Sequence, residues 1–292
     1  MSAKFELNDL LVKSGIDPPT VMVMRHRPTE KELRKALAGL AADRPETYNA
    51  YQSIHDETVE ASLLRKAWLA SFIGHQPGSA LFVGMYRVEG CRRISAKEYL
   101  RNPANRRLVE LGSRPPRPGR TPLWFELKCA DLLSEYKGRL VVGWPGIERS
   151  WWRRAERNCF PVEAIAEESL LVDRMPDPSD LVLSWARLSV LPSSWDAAIS
   201  QWRGIYYIFD KASGMGYVGS ASGSENMLGR WRNYAASGHG GNKLLKGCKP
   251  ENLEFSILEL LAASTDPKDV LTLESKWKER LHTRAPFGLN SN

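Results

Sequence analysis

Five side chains in the last third of the chain have the types that move protons and hold anions. Tyr206 and Tyr217 stand eleven positions apart in "GIYYIFDKASGMGYVGS" (204–220), inside two short words, Gly204-Ile205-Tyr206 and Tyr217-Val218-Gly219. Arg230 and Tyr234 follow, one helical turn apart, and Glu274 lies further on. Phenols and carboxylates exchange protons, and a guanidinium grips oxyanions with forked donors. Glu274 sits beside an apolar stripe of Val270, Leu273, Trp277 and Leu281, where a carboxylate is costly unless something pairs with it. Lys278, four residues on, offers a surface partner; the Arg and Tyr side chains offer another.

Those residues need elements to bring them together. Gly204 to Phe209 and Met215 to Gly219 are β-rich runs around Asp-Lys-Ala-Ser-Gly, which reads as a hairpin. A helix is expected over 227–236, then the glycine-rich "SGHGGN" (237–242), a strand over 253–261 and a long helix over 264–284 with Pro267 in its first turn. The order is β-β-α-β-α.

The two words, Arg230 and Tyr234 as Arg-x-x-x-Tyr, Glu274 on a later helix and the terminal Gly288-Leu289-Asn290 resemble, in order and spacing, the GIY-YIG nuclease superfamily. The resemblance spans about residues 203–292. The second word reads YVG where the family has YIG, and Tyr234 stands where many members have histidine.

The resemblance implies hydrolysis of DNA phosphodiester bonds. Glu274 would be the single protein ligand of one Mg²⁺ or Mn²⁺ per active site, a hard cation that suits one carboxylate plus phosphate oxygens. Arg230 would hold the scissile phosphate, and Tyr206 would serve as general base if cations lower its pKa, with Tyr217 and Tyr234 orienting water and phosphate. Asn290 would buttress the site through hydrogen bonds. Arg232, His239 and Lys243, around the same helix and glycine loop, are candidate DNA contacts.

The chain is α+β and divides into an N-terminal recognition domain (1–190), a linker (191–202) and the nuclease domain (203–292). A strand is expected at 20–26, helices over 29–73, a strand at 80–88 with Ala80, Phe82, Tyr86 and Val88 on one face, and strands at 122–129 and 138–146. Together they suggest a curved sheet or small barrel, vaguely similar to PUA-like barrels of the EVE, ASCH and SRA type. The formal charge is +7, and residues 92–120 hold nine Arg or Lys against two Glu. Within that stretch the proline-rich loop 112–122 exposes Arg114, Arg117 and Arg120, as a polyanion partner requires. "GWPGIERSWWRRAERN" (143–158) interleaves Trp144, Trp151 and Trp152 with arginines including Arg153, a mixture that stacks bases and grips backbone. The competing reading of the same residues, a tryptophan-rich core strand running into a basic surface helix, is slightly favoured.

The four cysteines show no zinc spacing, no run approaches a membrane span, and the N-terminus is too charged for a signal peptide, so a cytoplasmic protein is expected. Three functions compete: a defence nuclease against phage DNA, directed to modified bases in double-stranded DNA; a sequence-specific restriction or mobile-element endonuclease; and a non-catalytic nucleic-acid-binding module. Cleavage of both strands would suit a dimer.

Overall fold

Strand β1 (Val21–His26) is buried along its whole length, so its sequence, VMVMRH, lacks the polar alternation of a half-exposed strand. The computed structural model describes residues 5–146, 150–172, 174–222, 226–237 and 240–291. They form two units, Met1–Asp173 and Arg174–Asn292.

In the first unit, α1 (Leu7–Lys13) precedes β1, and α2 (Lys31–Asp43), α3 (Pro45–Gln52) and α4 (Glu57–Leu63) lead across to β2 (Trp68–Gly74), parallel to β1. Parallel neighbours require such a crossover. The expected helical region 29–73 therefore ends in a strand. A short, continuously apolar run such as WLASFIG gives no periodicity to separate strand from helix, and its partner lies over forty residues away.

The long β3 (Ser79–Arg93) is the spine of a seven-stranded sheet. One edge pairs with β2; the other takes β4 (Leu123–Ala130) along its end and β5 (Leu140–Gly143) along its start. Between β3 and β4 lie α5 (Ala96–Arg101) and α6 (Pro103–Glu110), while β6 (Trp152–Arg154) pairs with β1 and β7 (Val162–Ile165) with β5. A bulge at Val83, where Ser71 faces Gly84 but Phe72 faces Phe82, reverses the side-chain alternation of β3. Ala80 and Phe82 consequently share a core with Met85, not with Tyr86 and Val88 as strict alternation predicts.

The second unit is a four-stranded antiparallel sheet in the order β10 (Met215–Ala221), β9 (Arg203–Asp210), β11 (Leu253–Leu261), β8 (Val182–Ser184). The short helices α7 (Trp185–Leu188) and α8 (Ser193–Ile199) lie between β8 and β9 in the chain. Helix α9 (Met227–Ser237) covers one face, where Trp231, Tyr206 and Phe255 share a core with Leu183, Leu188, Trp195 and Ile199. The stretch 191–202, expected as a linker, thus holds a helix that supplies core residues to this unit. On the other face, α10 (Pro267–Arg280) buries Val270 against Ile205 and Val218, with Leu273 and Trp277 partly buried beside them. Asp266 caps α10 on the Lys268 amide, and Pro267 opens it. Leu281, expected in the stripe, lies past the helix end and is 38% exposed.

Candidate active site

Two glycines explain the two words. Gly204 has φ +151°, and a Cβ there would lie 2.0 Å from the Glu259 carbonyl oxygen of the neighbouring strand. Gly219 faces Tyr206 across the hairpin, and a Cβ on it would lie 2.5 Å from Tyr206 Oη. The phenol therefore lies across the space that glycine leaves. Tyr217 faces Ile208, so it shares Tyr206's face of the sheet, the face covered by α9.

Tyr234 of α9 stands between the two phenols. Its Oη lies 3.2 Å from Tyr206 Oη and 3.2 Å from Tyr217 Oη, so three hydroxyls form a hydrogen-bonded row. Tyr206 has no exposed surface and Tyr234 almost none, whereas Tyr217 is partly exposed. Solvent meets the row at the Tyr217 end, where the Asn242 side chain also bonds. Burial, then the charge of one other phenol (Tyr217 at Tyr206, Tyr234 at Tyr217, Tyr206 at Tyr234), raises the pKa of all three tyrosines well above 10; the hydrogen bond with Tyr234 opposes the rise at Tyr206, the bond with Tyr217 opposes it at Tyr234, and Arg230 opposes it at both. At neutral pH the row is fully protonated.

Arg230 and Glu274 arrive from opposite faces of the sheet and meet at Ser220, on edge strand β10. Arg230 Nε donates to the Ser220 carbonyl oxygen at 3.4 Å, and Ser220 Oγ donates to Glu274 Oε2. The other carboxylate oxygen, Oε1, lies 2.7 Å from Lys278 Nζ, and both side chains are largely buried. The Lys278 pairing anticipated for the surface thus occurs in a low-exposure setting next to the site. Ser220 was missed by sequence reasoning; its position directly after Tyr-Val-Gly was the available signal.

Asn290 is buried beneath the same strand. Its Oδ1 accepts from the Val218 amide at 2.9 Å and its Nδ2 donates to the Val218 carbonyl at 2.8 Å. One amide side chain thereby completes the outer hydrogen bonds of Val218, the residue after Tyr217.

Residues 203–290 match the family model described as the GIY-YIG catalytic domain. This stretch is a GIY-YIG domain. The superfamily is one of nucleases, with DNA as substrate, and its members generally use divalent metal ions. The chain matches no curated protein and no solved structure.

Among the described residues no group of three His, Cys, Asp or Glu side chains comes together. The oxygen donors at hand are Glu274 and the Ser220 hydroxyl, with an ammonium already drawn to Glu274. That set suits a hard, largely hydrated cation completed by phosphate oxygens, and Lys278 shows that the carboxylate attracts positive charge.

The candidate DNA contacts separate. Arg232 is on the far side of α9, in an ion pair with Asp196 of α8. Lys243 is exposed on the loop after α9, and His239 lies outside the described residues. Trp144 is a core residue, 6% exposed, with the Arg25 guanidinium over its ring and Nε1 donating to the Ser150 carbonyl. Arg153 is half-buried, donating to the backbone carbonyls of Pro145 and Trp152. Trp152 is half-buried in β6. Trp151 and the exposed Arg114, Arg117 and Arg120, by contrast, line one cleft of the first unit. No described helix is long and apolar enough to cross a membrane.

Proposed function

We propose that this chain is a metal-dependent endonuclease that hydrolyses phosphodiester bonds in double-stranded DNA, acts in the cytoplasm against foreign DNA, and is directed to modified bases by residues 1–190. The supporting observation is the convergence of the tyrosine row, Arg230 and Glu274 on the edge strand at Ser220.

Glu274, with Ser220 beside it, would hold one Mg²⁺ or Mn²⁺, which when bound supplies charge neutralisation near the leaving 3′ oxygen. Arg230 grips the scissile phosphate with its fork, trading its bond to the Ser220 carbonyl for phosphate oxygens. The attacking water sits at the phenols. One phenol of the row takes the water's proton as it hands its own along the row, through Tyr217, to solvent; Arg230 favours the negative charge that passes through the row in this step. Asn290 fixes Val218 and with it the place of Tyr217. Two copies acting together would cut both strands.

The test is nicking of plain plasmid and of base-modified phage DNA, with and without Mg²⁺. Cleavage should require the metal and favour the modified substrate, and Glu274→Ala should keep DNA binding while losing cleavage. Metal-independent cleavage, or full activity in Glu274→Ala, would overturn the mechanism.

A further inference from the structure

The first unit contains a cleft of about 960 Å³ that the nuclease chemistry does not use. Its buried part includes His26 and His55, 3% and 8% exposed, with Tyr51 and Trp151 against them: the His26 ring centroid is 5.2 Å from Tyr51 and 6.2 Å from Trp151, and His55 is 5.7 Å from Trp151. Its exposed part carries Arg114, Arg117 and Arg120, against two lining carboxylates, Glu30 and Asp56. Asp56 is already engaged as the cap of α4, accepting from the Val59 amide. Prolines 115, 116 and 118 restrict the arginine loop, so less order has to be imposed when an anion binds.

The imidazoles give the cleft its chemical character. Each bonds to Gln52, His26 through the glutamine side chain and His55 through its backbone, and each leaves Nε2 buried with no hydrogen-bond partner among the described residues. Burial holds both rings neutral, with pKa values lowered to about 3 for His26 and about 4 for His55. Bonded through Nδ1–H to oxygens of Gln52, a neutral ring presents Nε2 as a bare acceptor. Two buried acceptors suit a ligand with N–H donors and reject a phosphate, whereas the arginine rim suits the phosphate. Flat aromatic walls complete the requirements of a nucleotide.

We propose that this cleft receives one nucleotide extruded from a DNA strand, its base bearing an exocyclic amino group directed at His26 and His55, with flanking phosphates on Arg114, Arg117 and Arg120. Adenine and cytosine types carry that donor; thymine presents a carbonyl in its place. The inference rests on the reading that residues 1–190 choose the DNA, and it locates that choice in this cleft and away from Trp144, which is core.

The experiment measures binding by the full chain carrying Glu274→Ala, so that cleavage plays no part. The probes are duplexes in which the central base, A, C or T, is mispaired and easily extruded, together with free dAMP and dCMP. A and C duplexes should bind more tightly than T, and free nucleotides only weakly. His26→Phe/His55→Phe should erase the A and C preference, while Trp151→Ala should weaken all three duplexes roughly 5- to 150-fold, the range of one lost base stack. Replacing the three arginines by Gln should weaken every duplex and flatten the salt dependence. Circular dichroism and thermal melting identify variants that fail to fold; for those, 2-aminopurine fluorescence at the central base of the folded parent's complex decides, a rise marking extrusion and no change overturning it. Free nucleotides binding as tightly as duplexes would overturn the strand as ligand. Normal binding by the Phe and Ala variants, with loss in the arginine variant, would overturn the pocket and leave the recognition reading standing. Unchanged binding in the arginine variant would remove that reading too.

Discussion

Glu274 and Lys278, one turn apart on α10, form a 2.7 Å ion pair in which both side chains are nearly sequestered from water. The carboxylate proposed to hold a metal already has a cation beside it, carried on the same helix. A divalent ion bound there would compete with that ammonium for Glu274 Oε1.

Lys278→Met should therefore lower the Mg²⁺ concentration needed for half-maximal nicking, since the competing charge is gone and the alkyl stem is retained. Metal titrations of nicking rate, with DNA saturating, measure it. A higher requirement would mean that Lys278 holds the carboxylate in place for the metal.

Arg230→Lys should lose most cleavage, because a point charge replaces a fork that must reach a phosphate. Arg232→Lys should cleave normally: it retains its exposed pairing with Asp196, an interaction worth only ~0.2–1 kcal/mol. Equal losses in single-turnover assays would contradict the facing of α9 described above.

Asn290→Ala should destabilise the second unit by about 2–3 kcal/mol, as two buried bonds to Val218 disappear and leave its amide and carbonyl unsatisfied. Asn290→Asp keeps the acceptor but not the donor, so it should fall between the two proteins. Denaturant unfolding followed by tryptophan fluorescence would order all three.

Acid should weaken the first unit. His26 and His55 have folded pKa values below the unfolded 6.5, so the unfolded chain binds protons that the folded unit refuses. Their contribution is complete above pH ~6.5 and is lost as pH falls, down to about 4 for His55 and about 3 for His26, with a slope of about 1.4 kcal/mol per pH unit for each ring. Melting between pH 7 and 4 should show this fall, and His26→Phe/His55→Phe should flatten it. An equal fall in the double variant would assign the acid sensitivity to other groups.

Much of the nuclease site was legible because it is local. Hairpin words, helix caps and an Arg-x-x-x-Tyr turn are written within short windows, and the hairpin, α9, β11 and α10 lie where those windows place them. What escaped depends on distant partners. Strand β2 is recognisable only beside β1, the phase of β3 only from the bulge at Val83, and the bond of Ser220 to Glu274 joins residues fifty-four apart. The cleft was invisible for the same reason: His26, His55, Arg117 and Trp151 come from four separate segments. Trp144 and Trp151, seven residues apart in one basic run, have opposite fates because one faces the core and the other the cleft.

The row of Tyr206, Tyr234 and Tyr217 resembles a fragment of ice. Three oxygens 3.2 Å apart in sequence can order their hydrogens in either sense, and no heavy atom moves when the order reverses. Before a substrate arrives, the two arrangements differ little in structure and contribute orientational entropy. Under the proposed mechanism, a phosphate held by Arg230 would polarise the row and select a single arrangement. Loading the site would thus carry an entropic signature of frozen rotors, which calorimetry of the wild type against Tyr234→Phe would register even between two superimposable structures.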